Sequence, residues 1–304
     1  MTGAAHLSID TVVADVVETD VAGVGRVRVS ALRAEVPRPR AVVVALHGGS
    51  ANARYFDLPD APDASLLRLG AALGFTVVAL DRPGYGASAP HAADLASPEL
   101  RVDLAYAAID RLLDRRPRGA GMFLVAHSLG CELAVRMAAE PRGADLLGLE
   151  LAGTGIRHHP VADEIMSGWY ADAGGTRPPS GMRRLLWEPH HLYPSGVVGT
   201  PVIGSRAPAF ESTVVEGWTT RVLPAQAARI RVPVRYALGD HERVWATDPH
   251  ARAEMAALFT ASPRVVTDEQ VAGGHNLSLG HSARAYHLKV LAFAEECMGS
   301  GDGD

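Results

Sequence analysis

The stretch Ala126 to Gly130 (AHSLG) places a serine where its hydroxyl can do chemistry. An apolar, strand-like run over 122–126 leads into it, and a helical pattern over 129–139 follows with no loop between. A sharp strand-to-helix turn holds the serine hydroxyl above the sheet and requires small residues two positions before and after it, as found here. The free N–H groups at the start of the helix favour negative charge. The pattern therefore predicts an exposed nucleophile, Ser128, beside a site that stabilises an oxyanion.

Other polar, glycine-containing segments stand at the ends of proposed strands or before the last proposed helix. They are 47–50 (HGGS), 81–86 (DRPGYG), 239–242 (GDHE) and 273–276 (GGHN). Open α/β sheets bind their ligands outside the carboxyl ends of the strands, so we expect the chemistry at these segments. HGGS and DRPGYG lack the spacing of phosphate-binding or dinucleotide-binding loops, which argues against a phosphate site.

Apolar runs and helical patterns alternate along the chain in the order that builds a mostly parallel sheet covered on both faces. The proposed strands are 12–18, 25–34, 41–46, 75–80, 122–126, 146–151 and 232–238. The proposed helices are 64–73, 98–113, 129–139, 249–259 and 277–296. This alternation predicts the α/β class.

Residues 155–230 depart from the alternation. They contain clustered prolines and three of the four tryptophans of the chain, Trp169, Trp187 and Trp218. A flexible linker is poor in tryptophan because it has no core in which to bury one. We therefore expect a folded insertion that lies as a lid over one end of the sheet, with its aromatic side chains lining a cavity. The predicted division is a core of 1–154 and 231–298, this insertion, and a disordered tail over 299–304.

With these motifs, the chain resembles the α/β-hydrolase family over nearly its full length. AHSLG matches the family's nucleophile elbow with alanine in place of the first glycine, and HGG, DRPGYG and Gly274-His275 occur in the family's order. A second serine segment, 280–282, follows no proposed strand and has Arg284 where a small residue should be, so it is not an elbow. The resemblance implies an α/β-hydrolase fold: a mostly parallel, doubly wound sheet of about eight strands with an inserted, mainly helical cap. It implies no cofactor and no metal.

The resemblance also implies a catalytic triad. Serine is a weak nucleophile at neutral pH and needs a neighbouring base, and His275 occupies the family's histidine position after the last strand. The family's acid lies three residues after Gly239, which selects Glu242, although most members carry aspartate there. Asp240 is the alternative acid. The chain order of Ser128, acid and histidine agrees with the family.

Two N–H donors are implied for the oxyanion: Leu129, which follows the nucleophile, and Gly49, in the loop after the third strand. Gly48 also allows close backbone approach to a substrate. We expect His47 to brace this loop and His127 to pack beside the elbow. The predicted substrate contacts are Gly48 and the tryptophans Trp169, Trp187 and Trp218.

The composition limits the partners of the chain. Its formal net charge of −5 is spread without acidic or basic blocks, which argues against nucleic acid and anionic membranes. The two cysteines, Cys131 and Cys297, are too few for a disulfide framework and fit a reducing compartment. The first residues lack a secretory signal, and no apolar run reaches about 18 residues. We expect a cytoplasmic protein that acts on a small molecule, and a homodimer is compatible with the sequence.

The predicted function is hydrolysis of an ester, thioester or related acyl bond in a medium-sized, largely apolar molecule, through an acyl-enzyme. The same triad also serves acyl transfer, elimination and carbon–carbon cleavage, and these stay open as alternatives. A second alternative is a ligand-binding protein that keeps the fold without turnover. Ser128 argues against the dehalogenases and epoxide hydrolases of the family, because those enzymes use an aspartate nucleophile.

Overall fold

The computed structural model describes residues 11–171, 181–215 and 217–299, of which 167–171 by their backbone only. An eight-stranded sheet forms its centre. The strands are β1 (Val13–Val21), β2 (Gly25–Ala34), β3 (Val42–Leu46), β4 (Thr76–Leu80), β5 (Met122–His127), β6 (Leu146–Ala152), β7 (Val234–Gly239) and β8 (Val265–Gln270).

Helices cover the two faces of the sheet, and others in the segment 155–230 pack on loops. They are α1 (Leu66–Ala72), α2 (Pro98–Leu113), α3 (Gly130–Ala139), α4 (Pro160–Ala171), α5 (Met182–Trp187), α6 (Phe210–Val215), α7 (Leu223–Ala227), α8 (Pro249–Ala257) and α9 (Ala283–Met298). Within the described ranges, none of the helices has both the length and the apolar character needed to cross a membrane.

The strand order is β1-β2-β4-β3-β5-β6-β7-β8, in which β3 to β8 are parallel neighbours and β1 and β2 form an antiparallel hairpin. The order reverses between β3 and β5, and a crevice forms at such a point beyond the carboxyl ends of parallel strands. Leu46 of β3 pairs with Ala126 of β5. His47 and His127 therefore leave the sheet side by side, and the loops that follow them meet.

The central strands are buried on both faces, which is why they read as continuous apolar runs. All five residues of β3 (VVVAL) and of β4 (TVVAL) are buried. Val42, Val44 and Leu46 face the core cluster shared with α2 and α3. Val43 and Ala45 face the cluster shared with α1 and α9. The sheet is therefore packed between two helical layers, which fixes the positions of its carboxyl ends.

The structure confirms the α/β-hydrolase fold class and the seven proposed strands, and it adds β8. This strand lies at the edge of the sheet, and its sequence, VVTDEQ, is only partly buried. The last helix begins at Ala283, so the predicted start at 277 is wrong. Leu277 and Leu279 are buried in turns, and the N–H of His281 donates to the carbonyl of Leu192 instead of continuing a helical ladder.

The described residues of 155–230 form helices α4 to α7 with intervening turns, and no strand. Backbone hydrogen bonds tie this segment to the core: His159 N–H donates to Val244 O at 3.0 Å, and Ser205 N–H donates to Ser50 O at 3.0 Å. The segment thus packs on loops that follow β3 and β7. The division into core and lid stays a prediction, and the predicted disorder of the tail falls almost wholly on 300–304, outside the described residues.

A buried ion pair links the strands on one side of the sheet. Glu150 of β6 lies opposite Arg235 of β7, and Arg235 Nη1 donates to Glu150 Oε2 at 2.7 Å. The hydroxyl of Tyr286, on α9, donates to the other carboxylate oxygen at 3.1 Å. Arg235 also donates to Asp268 of β8 at 2.6 Å. Burial raises the pKa of Glu150, and Arg235 opposes that rise.

Replacing Arg235 with methionine should destabilise the fold by about 3 to 5 kcal/mol, because Glu150 stays buried without its cation. The pKa of Glu150 should then rise further, so the folded protein would hold a proton that the unfolded chain releases. Stability of this variant should consequently fall between about pH 5 and about pH 7. Thermal melts at the two pH values would measure this, with Arg118→Met, which breaks an exposed pair, as the control that costs less than about 1 kcal/mol. Equal losses in the two variants would contradict this account.

Candidate active site

Ser128 occupies the turn between β5 and α3 with a φ of +52°, a left-handed conformation that residues other than glycine rarely adopt. Its N–H donates to the carbonyl of Ala152, at the end of β6, at 2.8 Å. The N–H of Cys131 donates to the Ser128 carbonyl at 2.9 Å. Strained backbone of this kind persists where the surrounding structure holds it, and it clusters at functional sites.

Gly130 makes this turn possible. A Cβ atom at Gly130 would lie 2.4 Å from the carbonyl oxygen of Leu46 and 2.6 Å from that of His47. The first turn of α3 therefore packs directly on backbone at the end of β3. This contact brings the loop that follows β3 against the serine.

Ser128, His275 and Glu242 form a continuous chain of hydrogen bonds. Nε2 of His275 lies 3.2 Å from Ser128 Oγ, and Nδ1 of the same ring lies 3.0 Å and 2.9 Å from the two carboxylate oxygens of Glu242. A carboxylate facing Nδ1 fixes the proton there, so Nε2 is left to accept the serine proton. The structure thus brings together the three side chains that the sequence selected.

Glu242 is held in place by its own loop. Its Oε1 accepts hydrogen bonds from the N–H groups of Arg243 at 2.9 Å and Val244 at 2.7 Å. The side chain has no exposure to solvent. A buried carboxylate with both backbone and imidazole donors is oriented before any substrate arrives.

Asp240, the alternative acid, faces a different partner. Its oxygens accept from the N–H groups of Ala272 and Gly273, each at 3.0 Å, and from His241 Nδ1 at 2.7 Å. Burial opposes the shift, yet these hydrogen bonds lower the pKa of Asp240. This carboxylate therefore fastens the end of β7 to the loop that carries His275.

The loop that follows β3 contacts the elbow. A Cβ on Gly48 would lie 3.1 Å from Ser128 Cβ, and one on Gly49 would lie 2.6 Å from Leu129 Cδ1. Because α3 begins at Gly130, the N–H of Leu129 is among the groups that find no partner inside the helix. The two predicted N–H donors therefore belong to backbone segments in contact with one another, and their role toward an oxyanion stays a prediction.

His47 braces the loop after β3 through hydrogen bonds of both its ring nitrogens. The backbone N–H of Arg82 donates to its Nε2 at 3.1 Å, which assigns the proton to Nδ1. Nδ1 then donates to the carbonyl of Gly48 at 2.8 Å. Burial, and after it the charge of Arg82, lowers the pKa of His47 well below its usual value. The ring therefore stays neutral and serves as a spacer between two loops.

His127 also packs beside the elbow rather than on the serine. Its Nε2 donates to the carbonyl of His275 at 2.9 Å, and its ring stacks on Tyr55 with centroids 4.5 Å apart. Burial lowers its pKa well below the usual value, so it too stays neutral. His127 thus holds the backbone of the residue whose side chain faces Ser128.

The tryptophans predicted to line a cavity differ in placement. Trp218 is only 6% exposed, belongs to the core cluster on the α3 side, and donates its indole N–H to Thr154 Oγ1 at 3.2 Å. Trp187 is partly buried against Tyr193, with ring centroids 5.2 Å apart. The side chain of Trp169 lies outside the described residues. Contact of these residues with a substrate stays a prediction.

Sequence reasoning missed the fourth tryptophan. Trp245 donates its indole N–H to Gly153 O at 2.9 Å, and Gly153 is so close to His275 that a Cβ there would lie 3.3 Å from His275 Cε1. The sequence signal that could have identified Trp245 is its position three residues after Glu242. Sequence reasoning also missed the pairing of Arg82, which lies within the DRPGYG segment, with Glu211, which carries no local motif; both residues border the loop after β3.

Cys131 is a packing residue rather than a second nucleophile. It is fully buried, and burial raises the pKa of its thiol, which keeps it protonated. Across the described parts of the chain, no three histidine, cysteine, aspartate or glutamate side chains gather in a group that could hold a metal ion.

With the geometry established, comparison with known proteins decides the family. Residues 43–287 match the model of the alpha/beta hydrolase family, which is most of the chain. The chain belongs to the α/β hydrolase family. A comparison with curated protein sequences found no match.

Solved structures similar to this α/β hydrolase cover almost its whole length. A lipase in an open form is 18% identical, covers 94% of this chain and 99% of its own, and gives a TM-score of 0.63. A thermostable carboxyl esterase from Bacillus coagulans is 17% identical, with coverages of 95% and 100% and a TM-score of 0.62. A monoacylglycerol lipase from Paleococcus ferrophilus is 19% identical, with coverages of 87% and 98% and a TM-score of 0.60. At these identities the likeness establishes the fold.

In this α/β hydrolase, Gly130→Ala should destabilise the fold by about 1 to 3 kcal/mol, because the added methyl meets backbone carbonyls that cannot move aside. It should also displace the loop of Gly48 and Gly49 from Ser128. Gly204→Ala is the matched control, since its Cβ would make only an ordinary contact at 3.5 Å. Chemical denaturation of both variants measures the difference, and a Gly130→Ala protein as stable as the control would contradict the proposed contact.

Proposed function

We propose that this α/β hydrolase is a serine hydrolase that cleaves an ester or thioester through a covalent acyl-enzyme. The observation that carries the proposal is the hydrogen-bonded chain from Ser128 Oγ through both nitrogens of His275 to Glu242. Nucleophile and base stand at hydrogen-bond distance, and a third group orients the base, which is the arrangement that activates serine. The similar structures named as lipases and a carboxyl esterase support an ester as the substrate.

In the first half of the reaction, Ser128 Oγ attacks the carbonyl carbon of the substrate while its proton moves to His275 Nε2. The carbonyl oxygen becomes an oxyanion, and the N–H groups of Gly49 and Leu129 stabilise it. Glu242 stabilises the imidazolium through Nδ1 and remains ionised. Nε2 then donates its proton to the leaving alkoxide or thiolate as the bond to the carbonyl carbon breaks.

In the second half, water attacks the acyl carbon of the Ser128 ester and gives its proton to Nε2 of His275. The tetrahedral intermediate collapses, the bond to Ser128 Oγ breaks, and Nε2 returns the proton to that oxygen. The acid product leaves and the enzyme regains its starting state. Every proton transferred in these two half-reactions passes through Nε2 of His275, so the orientation of this ring governs both of them.

We further propose a medium-sized, largely apolar acyl compound as the substrate. Arg82 and Glu211 are two charged residues that border the loop of Gly48 and Gly49 after β3, the proposed oxyanion loop. They lie 2.5 Å apart and neutralise each other, which favours an uncharged molecule. The partly buried Trp187 supplies apolar surface on the segment above the sheet. We place the activity in the cytoplasm because both cysteines are free and buried. A small molecule is the partner that this function needs.

Ser128 should be labelled by a fluorophosphonate probe, because among the described serines it is the one that combines a strained turn with a histidine at 3.2 Å. Intact-mass measurement should show one adduct on the natural protein and none on Ser128→Ala. Ser282→Ala, in the segment that was rejected as a second elbow, is the control that should keep full labelling. Labelling of Ser128→Ala would refute the assignment of the nucleophile, and an unlabelled natural protein would refute the proposed activity.

Glu242→Gln should lower kcat by up to about four orders of magnitude with little change in KM, since an amide facing Nδ1 favours the wrong tautomer. Its remaining carbonyl can still accept from Arg243 and Val244, so the loop should stay folded. Asp240→Asn should keep activity within about tenfold, because the side chain of Asp240 holds the loop and does not contact the imidazole of His275. Steady-state kinetics on a p-nitrophenyl ester distinguishes the two acids, and thermal melts show whether both variants fold. An inactive Asp240→Asn beside an active Glu242→Gln would identify Asp240 as the acid.

A further inference from the structure

A buried ion pair joins the segment 155–230 to the loop that carries Gly48 and Gly49. Arg82 follows the end of β4, and Glu211 belongs to α6; their side chains are 5% and 7% exposed. Arg82 Nη2 donates to Glu211 Oε1 at 2.5 Å and to the carbonyl oxygen of Gly48 at 3.0 Å. A buried cation needs both a counter-ion and hydrogen-bond acceptors, and here one acceptor is the backbone of the oxyanion loop.

The carbonyl of Gly48 is therefore fixed by two donors, Arg82 Nη2 and His47 Nδ1. In a planar, trans peptide unit, the C=O of one residue and the N–H of the next point in opposite directions. The direction of the Gly48 carbonyl thus decides the direction of the Gly49 N–H. Because Arg82 holds that carbonyl on its own side, the Gly49 N–H points away from the guanidinium.

Glu211 has a second contact with the same loop. A Cβ built on Gly49 would lie 3.2 Å from Glu211 Oε2, so the carboxylate packs against the backbone of the predicted oxyanion donor. The guanidinium carbon of Arg82 lies 4.9 Å from the ring centre of Tyr85, whose hydroxyl accepts from the N–H of Ser50 at 3.0 Å. The loop after β3 is thus held along its length by a buried, charge-neutral cluster.

We infer that Arg82 is a positioning residue for oxyanion stabilisation and that Glu211 sets the position of its guanidinium. The inference rests on the proposed function, since the direction of the Gly49 N–H matters only when Ser128 forms a tetrahedral intermediate. Arg82 does not contact the reacting atoms. Its loss should weaken an interaction made only in the transition state, and so lower kcat while leaving KM nearly unchanged.

A second buried pair provides a matched control. Arg101 Nη2 lies 3.2 Å from Glu132 Oε1, and both side chains are 4% exposed. The Arg101 guanidinium packs on Phe210 at 4.3 Å, next to Glu211 on α6. Its remaining donors go to the carbonyls of Leu95 and Ala96, not to the oxyanion loop. After its removal Glu132 keeps a second cation, since Arg136 Nε lies 2.5 Å from Glu132 Oε1. The loss of Arg101 therefore imposes a smaller burial penalty than the loss of Arg82, and it does not release the Gly48 carbonyl.

The test compares Arg82→Met, Arg82→Lys, Glu211→Gln and Arg101→Met in the full chain. Each variant is assayed for kcat and KM on a p-nitrophenyl ester and for the Kd of a phenylboronic acid, which adds to serine as a tetrahedral mimic. Arg82→Met should lose about 10- to 100-fold in kcat and in boronic acid affinity, since losing a whole oxyanion donor costs somewhat more. Arg82→Lys should recover part of that loss, and Glu211→Gln should show a smaller one. Arg101→Met should stay within about threefold of the natural protein in both measurements.

Equal losses of kcat in Arg82→Met and Arg101→Met, or a loss confined to KM, would overturn the inference. If a thermal melt shows that Arg82→Met does not fold, the two milder variants decide instead, and unchanged boronic acid affinity in both would overturn it. An active natural protein with unaffected variants refutes the inference alone. A natural protein without turnover and without fluorophosphonate labelling refutes the proposed function, and the inference with it.

Discussion

The site depends on one backbone contact, that of Gly130 with the carbonyls at the end of β3. Because no side chain separates α3 from that strand, the start of the helix and the loop after β3 reach the same point above the sheet. The positive φ of Ser128 follows from the same closeness, since the chain must leave β5 and enter α3 within a single turn. This contact brings together the partly buried Ser128 hydroxyl, the start of the helix and the neighbouring glycine loop.

Three histidines lie near Ser128, and of these three His275 is the one that faces the serine hydroxyl. His47 and His127 each donate a ring N–H to a backbone carbonyl, and burial keeps both rings neutral. His275 has a carboxylate on Nδ1 and the serine on Nε2. The three rings therefore differ in what faces each nitrogen rather than in the residue type.

The sequence revealed those features that depend on local pattern. The strands β3, β4 and β5 are mostly apolar because they are covered on both faces, and α2 was predicted with its observed bounds, Pro98–Leu113. The edge strand β8 was missed because its exposed positions carry polar residues. Glu242 was found through its spacing from a glycine, whereas Arg82 and Glu211 are 129 positions apart and no local pattern relates them. Side-chain pairs made by tertiary packing leave no such signal.

The wide separation of Ser128 and His275 along the chain, 147 positions, bears on how the protein is made. During synthesis the elbow emerges from the ribosome long before the histidine loop does. In the proposed mechanism, Ser128 has no base until residue 275 has been added and β7 and β8 have joined the sheet, and until then its hydroxyl has the low reactivity of any hydroxyl in water. On that proposal a nascent or truncated chain is inactive, and activity begins only when the sheet is complete.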